Sequence, residues 1–241
     1  MEVKTRQGPA FAVARVLLTG REHVRVESGA MMAMSEGVVL ESKAQGGVMR
    51  SLKRAALGGE SFFISSFHAP AQGGFVDVAA HLPGDVHVVE MHTGTALFVS
   101  KGSWVASAAD VTIETRWGGF KNLFGSEGGF ILRAAGEGPL VFACYGALET
   151  WNLEPGQTIT VDTGHMVAYE ETVQLQLRKA SGGLANTFKS GEGLVFDFTG
   201  PGTLWTQTRN PNEFLGWIGA MIGSGSSGVT TGGPGGLFGR S

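Results

Sequence analysis

A four-part pattern occurs three times along this chain: a glycine hairpin signal, a β-rich run, a glycine pair and an acidic glycine turn. Recurrence of that kind requires a repeated supersecondary unit rather than a single irregular fold. The first copy holds Ser28-Gly-Ala-Met-Met-Ala-Met34, Val38-Val-Leu-Glu-Ser42, Gly46-Gly47 and Gly58-Gly-Glu-Ser-Phe-Phe-Ile64. The second holds Lys101-Gly-Ser-Trp-Val-Ala-Ser107, Val111-Thr-Ile-Glu-Thr115, Gly118-Gly119 and Gly125-Ser-Glu-Gly-Gly-Phe-Ile131. The third holds Thr163-Gly-His-Met-Val-Ala-Tyr169, Val173-Gln-Leu-Gln-Leu177, Gly182-Gly183 and Ser190-Gly-Glu-Gly-Leu-Val-Phe196. The intervals from Gly29 to Gly102 to Gly164 are 73 and 62 residues, too uneven for an open solenoid. They fit duplicated modules with different inserts, at about residues 20–98, 99–160 and 161–215 within a compact region 1–223.

The elements are β-strands. Val173, Leu175 and Leu177 alternate with Gln174 and Gln176, and Val111-Thr-Ile-Glu-Thr115 repeats the period of two. Val86, Val88 and Glu90 follow it less cleanly. Gly138-Pro-Leu-Val-Phe-Ala-Cys-Tyr-Gly146 is apolar at both parities and reads as a central strand covered on both faces. Leu82-Pro-Gly-Asp85 and Leu153-Glu-Pro-Gly156 read as strand-entry turns, since proline presets one turn dihedral and glycine accepts another. One short helix is predicted over Val48–Leu57, with Gly58 as its C-cap. The corresponding segments Phe120–Phe124 and Leu184–Phe188 have room for about one turn and read as plugs over a sheet edge or the end of a core. Near the C-terminus, Trp217, Ile218, Met221 and Ile222 suit a short amphipathic turn or helix. Residues 224–241 form a Gly/Ser-rich tail, expected to be flexible because ordering costs about 1–2 kcal/mol per residue with few large side chains to offset it.

Composition narrows the class. With 42% hydrophobic residues and no Gly-x-y period, 39 glycines do not make a collagen-like or disordered chain. A net charge of −3 argues against a basic nucleic-acid surface, and no aromatic-basic RNA motif, helix-turn-helix or zinc-finger pattern occurs, so no nucleic acid is expected. Cys144 is the only cysteine, which excludes an internal disulfide and favours a reducing compartment. Met1–Gly20 lacks a signal-peptide core, and no run approaches the roughly 20 apolar residues of a membrane span. A cytoplasmic protein is therefore expected.

The repeated turns resemble the family of mitochondrial biogenesis proteins and their bacterial relatives, over roughly Thr19 to Trp217. The resemblance is carried by Glu27-Ser-Gly-Ala-Met31, Ser51-Leu-Lys-Arg-Ala-Ala56, Gly58-Gly-Glu-Ser61, Leu82-Pro-Gly-Asp85, Tyr145-Gly-Ala-Leu-Glu149, Val161-Asp-Thr-Gly-His165, Phe198-Thr-Gly-Pro-Gly202 and Gln207-Thr-Arg-Asn-Pro211, in that order. It implies an all-β, TRAP-like architecture of double-stranded β-helix or β-sandwich modules built by internal duplication, assembled as a homotrimer. It implies no catalytic set, and the fold name alone implies no RNA binding.

Each candidate site also has a structural role open to it. Glu60, Glu127 and Glu192 sit at related positions and would form an acidic ring in an assembly, yet one carboxylate per module is too few ligands for a hard cation, and backbone bonding in a tight turn is the simpler role. His87, Glu90 and His92, with His68 and His81 elsewhere, are suitable zinc or iron ligands. In a regular strand, however, His87 and His92 face opposite sides. Asp162, His165 and Ser181 supply triad atoms without a nucleophile elbow, and His165 is expected to close its glycine turn by backbone bonding. Cys144 lies in an apolar strand and reads as a neutral buried thiol. Lys43, Arg50, Lys53 and Arg54 form the best basic patch, for which ordinary surface charge is the simpler reading and contact with acidic lipid headgroups or phosphates the alternative. Trp104, Trp117, Trp151 and Trp205 read as core or interface residues.

No catalytic, cofactor-binding or metal residue is assigned, and no cofactor is expected. The sequence reading is a noncatalytic structural or interaction protein forming an oligomeric β scaffold, with a protein or peripheral membrane partner. The alternative is a small-molecule or metal-binding β module with an unassigned enzymatic activity.

Overall fold

The computed structural model describes residues 1–43, 64–116, 131–180 and 194–224. They form four antiparallel sheets and one α-helix. Sheet I runs β1 (Glu2–Arg6), β2 (Val13–Leu18), β7 (Gly74–Ala79), β4 (Met31–Met34). Sheet II runs β5 (Val39–Lys43), β6 (Ile64–His68), β3 (His23–Glu27), β10 (Trp104–Ala108), β13 (Gly138–Ala143), β8 (Val86–Met91). Sheet III runs β11 (Val111–Arg116), β12 (Ile131–Gly136), β9 (Ala96–Ser100), β16 (Met166–Glu170), β19 (Gly202–Gln207), β14 (Leu148–Leu153). Sheet IV runs β15 (Thr158–Asp162), β18 (Leu194–Thr199), β17 (Gln174–Lys179).

One six-strand grammar generates this list. Its first three-stranded layer is β2-β7-β4, β8-β13-β10 or β14-β19-β16, and its second is β3-β6-β5, β9-β12-β11 or β15-β18-β17. The irregularity in the first layer recurs as well: the pairing slips between Met31 and Ala33, between Trp104 and Ala106, and between Met166 and Ala168. Adjacent units are then sewn together edge to edge. β3 pairs with β10 (Val26 opposite Ala106) and β9 with β16 (Val99 opposite Ala168), which makes sheets II and III six-stranded.

The cores show how the sheets stack. Val16, Val24, Val26, Phe67 and Val76 of the first unit share a core with Val105 and Val141 of the second. Leu97, Leu132, Leu140 and Phe142 of the second share one with Val167 and Trp205 of the third. The third core, with Tyr169, Phe196, Phe198 and Leu204, lies between sheets III and IV and is built from the third unit together with residues of β9 and β12 such as Ile131 and Phe98. Layers alternate sheet and core, the packing expected when each sheet face must bury its apolar side.

Local sequence explains the elements. β13 pairs on both sides, with β10 and β8, and Leu140, Val141 and Phe142 are all buried, as its unbroken apolar run requires. β17 keeps its alternation, Leu175 and Leu177 packing on the third core while Gln174 and Gln176 face out. The glycine signals are corners and not hairpins. Each joins two strands in different sheets, through the Glu27–Ala30 turn or through a single 3-10 turn at Lys101–Ser103 or Thr163–His165. Both proline-glycine turns do lead into strands, but at non-equivalent places, β8 and β15.

The α-helix, α1 (Pro211–Ser224), belongs to a separate unit beginning at Asn210. Asn210 caps it, its side-chain oxygen accepting from Asn212 N–H at 3.0 Å, and Pro211 occupies a first-turn position where its missing N–H is harmless. The helix thus starts six residues before the expected apolar cluster at Trp217, because the polar Asn-Pro pair nucleates it. The predicted helix over Val48–Leu57, the two plugs, the three acidic glycine turns, Trp117, Ser181 and the tail beyond residue 224 lie outside the described residues.

Candidate functional site

The proposed metal ligands do not converge. His87 is half-buried, its ring centroid 5.3 Å from Phe142 and 5.9 Å from Trp205, and desolvation lowers its pKa. Glu90 is exposed on β8, while His92 sits in the turn after it, where Thr95 Oγ1 donates to His92 C=O at 2.7 Å. His68 stacks on His23 at 4.8 Å and reaches Glu41 at 3.3 Å; His81 lies 3.9 Å from Glu27. Among the described residues, no group of three His, Cys, Asp or Glu side chains is placed to hold a metal ion.

Asp162 and His165 serve the backbone. His165 Nδ1 lies 2.6 Å from the Gln207 carbonyl, Gln207 Nε2 donates to Gly164 C=O at 2.8 Å, and Tyr145 N–H donates to Gln207 Oε1 at 2.8 Å. Asp162 accepts from Gly164 N–H at 2.9 Å. This network ties the Thr163–His165 turn to β19, which is the closure expected of His165, although the carbonyl it meets is on another strand. Cys144 is buried against Gly146 C=O at 3.4 Å, and desolvation pushes its thiol up to about 11, so it is protonated at neutral pH. Trp104 and Trp205 are core residues, but Trp151 is 43% exposed on the edge strand β14. Of the basic patch, only the backbone of Lys43, at the end of β5, lies within the described residues.

Two charged features escaped the sequence reading. Asp77, in the middle of β7, is 1% exposed and receives both arms of two guanidinium groups: Arg6 at 3.1 and 2.8 Å, Arg15 at 2.8 and 2.8 Å. The Arg15 hydrogen bonds foremost, reinforced by Arg6, hold its carboxyl well below the usual range. Its sequence signal was an acid inside the apolar alternation Phe75-Val-Asp-Val78.

Glu27, closing β3 at the junction of the first two units, is the second. Burial raises its pKa to about 7, against an opposing pull from Lys101. A raised carboxylate pKa means the native state holds the proton more tightly than the unfolded chain, so this group lowers stability as pH climbs from 4.5 to about 7. Glu27→Gln is expected to remove that slope and to stabilise the protein above pH 7 by at most about 3 kcal/mol. Urea midpoints measured from pH 4.5 to 8 test this; an unchanged slope in the variant rejects it.

What reaches solvent is apolar as well as polar. Met31, Met32 and Met34 on β4 are exposed, as are Leu215, Trp217, Met221 and Ile222 on α1. No helix among the described residues is long and apolar enough to cross a membrane.

Comparison with known proteins agrees with the fold. An uncharacterized protein of Streptococcus pyogenes serotype M6 is 26% identical over 218 residues, covering 86% of each chain. The crystal structure of a Streptococcus pyogenes protein superposes with a TM-score of 0.77 at 23% identity, over 91% of this chain and 99% of that one. The family model for mitochondrial biogenesis AIM24 matches residues 3–209, nearly the whole β body, and the chain belongs to that family.

Proposed function

We propose that the protein is a noncatalytic interaction scaffold, its three related β units presented as a homotrimer in the cytoplasm. The observation that carries this reading is where the side chains go. Asp162 and His165, nominated for chemistry, bond to turn and strand backbone, whereas large apolar side chains such as Met32 and Trp151 are exposed. Exposed apolar surface on a folded body is the mark of a surface that meets another. The single buried cysteine supports a reducing compartment. Taken by themselves, the exposed apolar residues of α1 suit a protein or peripheral membrane partner.

Mass measured by sedimentation or light scattering from nanomolar to 100 micromolar is the test. The expected result is a species of three chains that dissociates only on dilution; a monomer throughout the range overturns the scaffold reading.

A further inference from the structure

The strand grammar leaves one join unmade at each end. Every first layer inside the chain is extended by the second layer of the preceding unit: β10 by β3, and β16 by β9. Sheet I has a first layer without that extension, ending at β4, and sheet IV has a second layer without a following unit, ending at β15. Among the described residues, β4 pairs only with β7 and β15 only with β18.

These two edges of the described structure carry the residues of an interior join. Met32 is 53% exposed, while its counterparts Val105 and Val167 are 1% and 0% exposed under the neighbouring unit. Met34, at 40%, matches Ser107 and Tyr169, both buried. On the other side, Ile159 and Val161 are only partly buried where Val24, Val26, Leu97 and Val99 are fully so. Polar or charged residues usually protect an open edge strand; Met-Met-Ala-Met does not.

The third core points to the same missing piece. The first core is capped by Val105 and Val141 from the next unit and the second by Val167 and Trp205, but among the described residues the third has no such cap. Trp151, on the side of sheet III that faces sheet IV, is 43% exposed; its counterparts Val16 and Val89 are fully and partly buried. The corresponding face of sheet I carries Arg15 and Asp77, and Arg15 already lies 4.0 Å over Phe75. An aromatic face and a half-exposed guanidinium are complementary.

We propose that a second copy of this chain docks head to tail, its β4 pairing antiparallel with β15 to join sheets I and IV into one seven-stranded sheet over Trp151. The inference rests on the scaffold reading and specifies its interface. The interior ladders give the register. Val26 faces Ala106, Arg25 faces Ser107, Val99 faces Ala168 and Phe98 faces Tyr169, so Val161 meets the second copy's Ala33 and Thr160 its Met34. Phe98 and Tyr169 stack at 5.1 Å, which shows that side chains at this register touch. Such a join is heterologous, using different surfaces on the two copies, and closes into a ring when the rotation permits.

Mixing Met34→Cys protein with Thr160→Cys protein under mild oxidation tests the register. The expected result is a disulfide-linked pair in the mixture, at least tenfold more abundant than in either variant alone or with Glu2→Cys on the far edge of sheet I. Amide exchange on the unmodified oligomer, slowed at least tenfold at Met31–Met34 and Thr158–Asp162 relative to the monomer at low concentration, is the second readout. An intact oligomer with no cross-link and unprotected edges overturns the interface while leaving the scaffold reading standing. A disulfide within single chains carrying both cysteines, at monomer mass, overturns the second-copy assignment, and a monomer throughout overturns both readings.

Discussion

Asp77→Ala is expected to destabilise the protein by about 3 kcal/mol, seen as a lower urea midpoint with an unchanged slope. Four charge-assisted hydrogen bonds converge on one buried carboxylate and hold three strands: Arg6 comes from β1, Arg15 from β2 and Asp77 from β7. Removing the acid leaves two guanidinium groups side by side. Both are more than a third exposed and regain water, which places the effect at the low end for breaking a buried pair. The pH dependence identifies the cause. Because the folded carboxyl titrates below its unfolded value of 3.8, its contribution is complete above that pH and fades as pH falls further. The gap between the native protein and Asp77→Ala therefore narrows below about pH 4. A gap of equal size at pH 3 and pH 7 would show that packing, and not the ion pair, sets the effect.

Gly84→Ala is expected to cost about 4 kcal/mol, near the upper limit for a single substitution. Gly84 lies where the chain enters β8 alongside the exit from β13. Ala12 N–H donates to its carbonyl at 2.9 Å, Gly146 N–H donates to Pro83 C=O at 3.1 Å, and Asp85 N–H donates to Gly146 C=O at 3.0 Å. A Cβ there would run into the Cys144 carbonyl oxygen, with its carbon and the Gly146 nitrogen both at 2.9 Å. These are backbone atoms held by their own hydrogen bonds, so no side chain can swing away. Gly102→Ala is the matched control: nothing lies within 4 Å of its would-be Cβ, and a change within about 0.5 kcal/mol is expected. Equal losses for the two variants in thermal or urea unfolding would reject the close-approach explanation.

These two glycines also show what sequence could and could not disclose. Gly102 belongs to the repeated signal that revealed three units, yet its side-chain space is empty; Gly84 sits in a turn that looked like any other proline-glycine pair. Period and recurrence report local geometry well, which is why β11, β13 and β17 appear where their patterns put them. The central placement of β13 was legible because apolar residues at both parities demand cover on both faces. Sheet order was not legible, because β3 and β10 are separated by about 80 residues and nothing in either strand names its partner. For the same reason the glycine corners resembled hairpins: a turn signal does not say whether the next strand stays in the sheet or leaves it. Asp77 was hidden by distance too, since Arg6 and Arg15 reach it only after β1 and β2 have been laid beside β7.

Sheets II and III each draw three strands from one repeat and three from the next, so no seam exists along which a repeat could be excised cleanly. Cutting the chain between repeats would split a hydrogen-bonded ladder and strip one wall from a core. Duplication at the level of sequence has thus produced a body expected to melt as a whole, its cooperativity extending across copies that inheritance made separate.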